Sequence, residues 1–227
     1  MNKRERSGKD SDPEEKDAEK KPKFHLSTAV NPDRSANLST SDLTRRLVYL
    51  DKFVRLSTIG KFRKDKMFPN AKEITESYGM LEACLKVCEL NKLERSNPNN
   101  LFVVVGDGHR ARTGAMVSSM TAWNAISIDP EISKCPSFPK VKTIKSKIED
   151  LTKEQELDHD GPVILCFPHS HASIKSSLIK IRSRIGVRHV ISLPCCVPDD
   201  LDVLPSLVYA DEFILSEKNT VKIYLNV

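Results

Sequence analysis

Leu101 to Val105 is an unbroken apolar stretch of Leu, Phe and three Val that stops on Gly106-Asp107-Gly108. A stretch of that length, apolar on both faces and cut by glycine, reads as a strand buried inside a parallel sheet. Such a strand needs a covering layer on each side, and parallel pairing needs helical crossovers. The following sequence has the matching pattern. Trp123–Ile128 ends at Asp129-Pro130, Val141–Ile148 alternates like a third strand, and Pro162–Phe167 and His189–Leu193 are two more short apolar runs. Val221–Leu225 is a sixth strand, expected at a sheet edge. Residues 112–121 are helix-like, and Ser173–Ile185 repeats Ile174, Leu178, Ile181 and Ile185 at helical spacing. Two helices are expected before the first strand. One runs from Thr40 or Ser41 to about Ile59 and is stopped by Gly60. The other runs from Asn70 to about Arg95, before the breaker Ser96-Asn97-Pro98-Asn99-Asn100. The pattern predicts an open α/β sheet covered on both faces.

Composition removes several classes. Leu101–Val105 is the longest aliphatic or aromatic run, far short of the roughly 20 residues that span a bilayer, so no membrane role is expected. Six cysteines in 227 residues are too sparse for a disulfide scaffold and read as reduced thiols. No apolar leader precedes them, so an intracellular protein is expected, cytoplasmic or nuclear. The net charge of +5 is unevenly spread. Residues 1–25 carry eight basic and seven acidic residues, a net of +1, and little to bury, which predicts a disordered tail. Residues 41–66 carry eight basic and three acidic residues, a net of +5, and residues 171–190 carry five basic and no acidic ones. These basic faces suit RNA, with Arg45, Arg46, Lys180 and Arg182 as candidate contacts. The plain alternative is a solvated helix face. The leading helices also offer a surface to a protein partner.

Gly106-Asp107-Gly108 lies between a strand and a helix, where an open α/β sheet receives a nucleotide-like ligand. Asp129 ends the second strand, 23 residues after Gly106, and a carboxylate there can accept both ribose hydroxyls of an adenosine. The alternative is a tight turn at the glycines and a turn cap at Asp129. With these residues, the chain over about 100–227 resembles the class I, Rossmann-like S-adenosylmethionine-dependent methyltransferases. The resemblance rests on Val103-Val104-Val105-Gly106-Asp107-Gly108, on Ile126-Ser127-Ile128-Asp129-Pro130, and on the order of elements. It implies that Gly106, Asp107 and Gly108 meet the methionine portion of the cofactor, that Asp129 meets its ribose, and that Asp150 of Lys147-Ile148-Glu149-Asp150 lies beside its adenine. Two departures are visible. Val103 and Val104 stand where the family carries an acidic residue, and the third glycine is replaced by Arg110 or displaced to Gly114. The same residues permit a dinucleotide reading, since Gly106-x-Gly108-x-x-Ala111 with Asp129 matches an NAD pattern.

Ligands in such sheets sit outside the carboxyl ends of the strands. The fourth strand ends in Pro168-His169-Ser170-His171 and the fifth in Pro194-Cys195-Cys196. His169 and His171 are the candidate catalytic residues, because imidazole titrates near neutral pH and can take a proton from a methyl acceptor. Zinc is a second reading: the residue types suit it, but His-x-His and adjacent cysteines depart from C-x₂-C spacing, and no metal ligand is assigned. A third makes Cys195 or Cys196 a nucleophile, as in cytosine-5 RNA methyltransferases, although the accompanying Pro-Cys motif is absent. The fourth is structural. Cys84 and Cys88, at i and i+4, and Trp123 read as core.

The expected organisation is a charged tail over 1–40, a helical extension over 41–98 and a three-layer, methyltransferase-type α/β domain over 99–227. The expected function is a methyltransferase-like protein using S-adenosylmethionine, acting on RNA. The alternatives are a catalytically inactive Rossmann-like module that binds RNA or protein, and an NAD-binding protein.

Overall fold

A computed structural model describes residues 47–134 and 136–227. The tail, Arg45, Arg46 and the expected start of the first helix lie outside those residues. Three helices come first: α1 (Val48–Val54), α2 (Ile59–Lys64) and α3 (Ala71–Asn91). Gly60 does not stop a helix but sits inside α2, and the break falls at Arg55–Thr58. Asn70 starts α3 by accepting a hydrogen bond from the Glu73 N–H at 3.0 Å. Lys92, left-handed at φ 55°, ends it.

The main sheet uses β1 (Leu101–Val105), β2 (Asn124–Ile128), β3 (Val141–Ile144), β5 (Val163–Pro168), β7 (Arg188–Leu193), β8 (Leu207–Ala210) and β9 (Thr220–Leu225). Helix α4 (Arg112–Met120) joins β1 to β2, and α5 (Ile174–Lys180) follows β5. The spatial order is β3-β2-β1-β5-β7-β9-β8. Numbered within this sheet alone, that is 3-2-1-4-5-7-6. The pairings from β3 to β7 are parallel, and β9 runs antiparallel to both β7 and β8. This is the three-layer Rossmann-like open sheet of methyltransferase type that the sequence predicts.

Alternation divides the core into two layers. Phe102, Val104, Ile164, Cys166, Ile191 and Leu193 pack with Leu81, Cys84, Val87 and Met116 of α3 and α4. Val103, Val105, Val163, Leu165, Phe167 and Val190 pack on the other face with Ile148, Leu151, Ile174 and Ile181. Each of the Val, Leu, Ile, Phe and Met side chains contributes about 1.5–3 kcal/mol through burial. Tyr49, Phe53 and Phe62 of α1 and α2 belong to the first cluster, so the leading helices share the core of the sheet. Trp123 is fully buried, with its Nε1–H donating to the Glu94 carbonyl at 3.1 Å, and Cys84 and Cys88 are core as expected.

Further expectations about elements change. Val221–Leu225 is not an edge strand, because β8 pairs outside it. The third strand stops at Ile144 rather than Ile148. The helix expected to reach Ile185 ends at Lys180 and runs into the short strand β6 (Ile181–Ser183), which pairs with β4 (Leu157–His159). Among the described residues, no helix is long and apolar enough to cross a membrane.

Candidate functional site

The strand order reverses between β1 and β5, and a cleft of ≈ 300 Å³ opens at the carboxyl ends of these strands. A topological switch point is where such sheets bind ligands. The Gly106–Gly108 loop, His169 after β5 and Cys195 after β7 line it. Lys72, Glu73 and Glu76 of α3 form the facing wall with Arg112, Ser216 and Lys218.

The two glycines are conformationally required. Gly106 has φ 82°, and a Cβ there would lie 2.5 Å from Ser170 Oγ. Gly108 has φ 71°, and its N–H donates to Asp129 Oδ2 at 2.9 Å. Asp129 Oδ1 accepts from the Glu131 N–H at 2.8 Å. Asp129 thus clamps the β1 loop to the end of β2, and each oxygen keeps a second acceptor site.

Asp107 turns into the core instead of toward a ligand. Oδ1 accepts from the Thr113 N–H at 2.9 Å, and Oδ2 accepts from the Gly114 N–H at 3.1 Å and Ser127 Oγ–H at 2.7 Å. It therefore takes the first free N–H groups of α4, which an anionic ligand would otherwise use. Burial pushes its carboxyl up to about 6, against the downward pull of those hydrogen bonds. Gly114 does the work of the displaced third glycine. A Cβ there would fall 2.4 Å from Ser127 Oγ, so only glycine lets α4 lie this close to β2. Gly114→Ala is expected to destabilise the fold by about 1–3 kcal/mol, read as a lower urea midpoint. An unchanged midpoint would show that the helix–strand contact is not tight.

His169 stands at φ 54°, a conformation uncommon outside glycine. Its Nε2 lies 2.9 Å from Glu76 Oε1 and 3.4 Å from Ser216 Oγ. Burial pushes the Glu76 carboxyl up, but His169 and Lys72 outweigh it and hold it below the usual range. Despite the short distance, Glu76 Oε1 has no aligned hydrogen-bond donor, and His169 Nδ1 is also buried without a partner. Arg112 bridges Glu73 Oε2 at 2.7 Å and the Met67 carbonyl at 3.0 Å. Sequence reasoning missed Lys72, Glu73 and Glu76. On a helix with polar neighbours they resemble a solvated face, and only the tertiary contact of α3 with the cleft reveals them.

The other expected residues lie elsewhere. His171 does not line the cleft; its Nε2 is 2.9 Å from Cys195 Sγ and 3.2 Å from Cys196 Sγ. Burial pushes the Cys195 thiol up, but hydrogen bonds from backbone groups, Cys196 and His171 bring it down to about 7. Asp150 is exposed, six residues beyond the end of β3, and is not in the cleft wall. Lys180 binds Glu156 and the Leu151 carbonyl, and Arg182 lies 3.5 Å from Glu156. Arg184 pairs with Asp158 and Asp160, and Lys175 with Asp202. The basic stretch at 171–190 is therefore interleaved with acids that the linear sequence places elsewhere.

No family model matches the chain, and no curated protein matches it. Among solved structures, it overlaps MtNAS in complex with MTA and tNA at 12% identity, over 81% of this chain and 70% of that one, with a TM-score of 0.44. A point mutant of MtNAS in complex with S-adenosylmethionine overlaps at 11% identity, over 81% and 72%, with a TM-score of 0.43. A cyclopropane-fatty-acyl-phospholipid synthase-like protein from Lactobacillus casei ATCC 334 overlaps at 15% identity, over 56% of this chain and 53% of that one, with a TM-score of 0.35. The chain spans about half the length of this last protein. Overlaps this loose bear on neither substrate nor reaction.

Proposed function

We propose that the cleft binds S-adenosylmethionine and that the protein is a methyltransferase acting on RNA. The observation that carries the first part is the cleft wall, where a required glycine loop faces paired charges of both signs at the switch point. A methionine end is a zwitterion. Glu76, whose Oε1 is buried without an aligned donor, suits its ammonium, and Arg112 and Lys218 suit its carboxylate. Asp129 keeps acceptor capacity for ribose hydroxyls beside Gly108. The bound cofactor would supply an electrophilic methyl group. The chain would hold the acceptor in line and exclude water, which is mainly a positioning task. His169 lines the same cleft, with Nε2 2.9 Å from Glu76 Oε1, and is the residue we assign to take up the acceptor's proton.

The dinucleotide reading has less support. Asp107 already occupies the Thr113 and Gly114 N–H groups, and its charge would repel a pyrophosphate. The RNA reading moves from Lys180 and Arg182 to α2 and its flank. There Lys61, Arg63, Lys64 and Lys66 are exposed, and Arg45 and Arg46 precede them in sequence.

Calorimetry of the full chain with S-adenosylhomocysteine tests the cofactor, with NAD as control. Micromolar binding is expected, weakened about tenfold by Glu76→Gln, a loss of about 1.4 kcal/mol, and abolished by Asp129→Ala. In the same preparation, RNA affinity should fall steeply with salt, and less steeply once Lys61, Arg63, Lys64 and Lys66 are neutralised. A folded chain that gives no heat would overturn the cofactor reading. Retained RNA binding would then favour the catalytically inactive module.

A further inference from the structure

We infer that His171, Cys195 and Cys196 form a three-ligand zinc site on the rim of the cleft. Residues 24 and 25 positions apart converge because β5 and β7 are parallel neighbours in register from Val163↔Arg188 to Pro168↔Leu193. Both loops therefore leave the sheet at the same rim. The His169 N–H donates to the Leu193 carbonyl at 3.0 Å, and the Cys195 thiol faces the His169 carbonyl at 3.7 Å, which ties the loops together.

The three ligand atoms lie within 4.8 Å of one another. Their separations are 2.9 and 3.2 Å from nitrogen to the two sulfurs and 3.6 Å between the sulfurs. Tetrahedral zinc with Zn–S of about 2.3 Å and Zn–N of about 2.0–2.1 Å has edges of about 3.8 Å (S–S) and 3.5 Å (S–N). An outward shift of a few tenths of an ångström in the imidazole opens the triangle to that size. Adjacent cysteines, awkward as a sequence motif, thus present both sulfurs on one side.

Chemistry favours zinc over a hard cation. Two thiolates and an imidazole form a soft donor set that selects zinc over magnesium or calcium, and the loaded site is electrically neutral. Exposure points the same way. Cys84, Cys88 and Cys166 are buried, whereas Cys195 is half-buried and Cys196 exposed. Exposed paired thiols are an oxidation liability unless they are used.

Among the described residues, no fourth His, Cys, Asp or Glu joins the group. The nearby His169 imidazole is turned to Glu76. Three protein ligands and one open position is the pattern of zinc with an exchangeable ligand. Cys195 also lines the cleft, so the open position adjoins whatever the cleft holds. This inference does not depend on the identity of that ligand.

The test is cobalt titration of the reduced full chain, followed by zinc displacement. The expected result is one equivalent, with thiolate-to-cobalt charge-transfer absorption and the intense visible bands of tetrahedral cobalt. Cys195→Ser, Cys196→Ser and His171→Ala should each weaken binding by tenfold or more, while Cys88→Ser leaves it unchanged. Zinc should raise the Tm of the parent chain but not of the Cys195→Ser, Cys196→Ser double variant, whose far-ultraviolet circular dichroism checks that it folds. Undiminished cobalt bands in that double variant, or metal fully stripped by citrate, would overturn the assignment.

Discussion

Replacing Asp107 by asparagine is expected to destabilise the protein most at low pH, with the gap from the parent chain narrowing as pH rises. The carboxyl is buried, and its pKa is raised from 3.8 to about 6 in the folded state. The folded chain therefore holds a proton that the unfolded chain releases between these values. A group of this kind stabilises fully below about pH 3.8, and that contribution is lost as pH rises through about 6. A two-unit displacement corresponds to about 3 kcal/mol. Asparagine has nearly the same shape but does not titrate, and its NH₂ faces donors that the second carboxylate oxygen satisfies. The variant should lose about 1–3 kcal/mol at pH 4, and most of that deficit should disappear by pH 7. Urea midpoints of both chains at four or five pH values between 4 and 7 measure this. A deficit that widens with pH would mean that the hydrogen bonds from Thr113, Gly114 and Ser127 outweigh burial.

The behaviour of Asp107 also marks where sequence reading stops. Gly106, Gly108 and Gly114 were legible as a strand–turn–helix device because glycine has few other reasons to stand there. The direction of the aspartate between them was not, because its partners come from α4 and β2. The sheet was legible where strands are buried on both faces, as in Leu101–Val105. β8 was not, since Leu207 and Val208 are exposed on the outer strand and the segment has no inside-outside alternation. Ile181 continues the helical spacing of Ile174 and Leu178, yet it is buried in β6, and periodicity alone does not distinguish these states. The zinc candidate shows the converse. Residue type pointed to it and linear spacing argued against it, because spacing along the chain does not encode the register of β5 with β7. The basic stretch at 171–190 misleads similarly, since its counter-charges at 156–160 and Asp202 become neighbours only through folding.

His189→Asn is expected to cost about 1–2 kcal/mol at pH 7 and to become no worse than the parent chain by pH 4. His189 is buried near the start of β7, and its Nδ1 accepts from the Asn226 N–H at 3.3 Å. The neutral ring therefore carries its proton on Nε2, which has no partner. A second proton must go to Nδ1, against the Asn226 N–H and in a buried site. Burial accordingly pushes the imidazole down to about 4 from its ordinary 6.5. Here the unfolded chain binds the extra proton, so the contribution to stability is complete above about pH 6.5 and is lost as pH falls toward 4. The displacement corresponds to about 3 kcal/mol, of opposite sign to that of Asp107 and over nearly the same window. Asparagine keeps an acceptor near the position of Nδ1 and cannot charge, leaving only the cost of its smaller volume. The parent chain should then show a nearly flat pH profile from these two groups. Asp107→Asn should uncover a limb that rises with pH, and His189→Asn one that falls. If His189→Asn shifted the urea midpoint equally at pH 4 and pH 7, the ring would not be held neutral by burial, and the flat profile would need another cause.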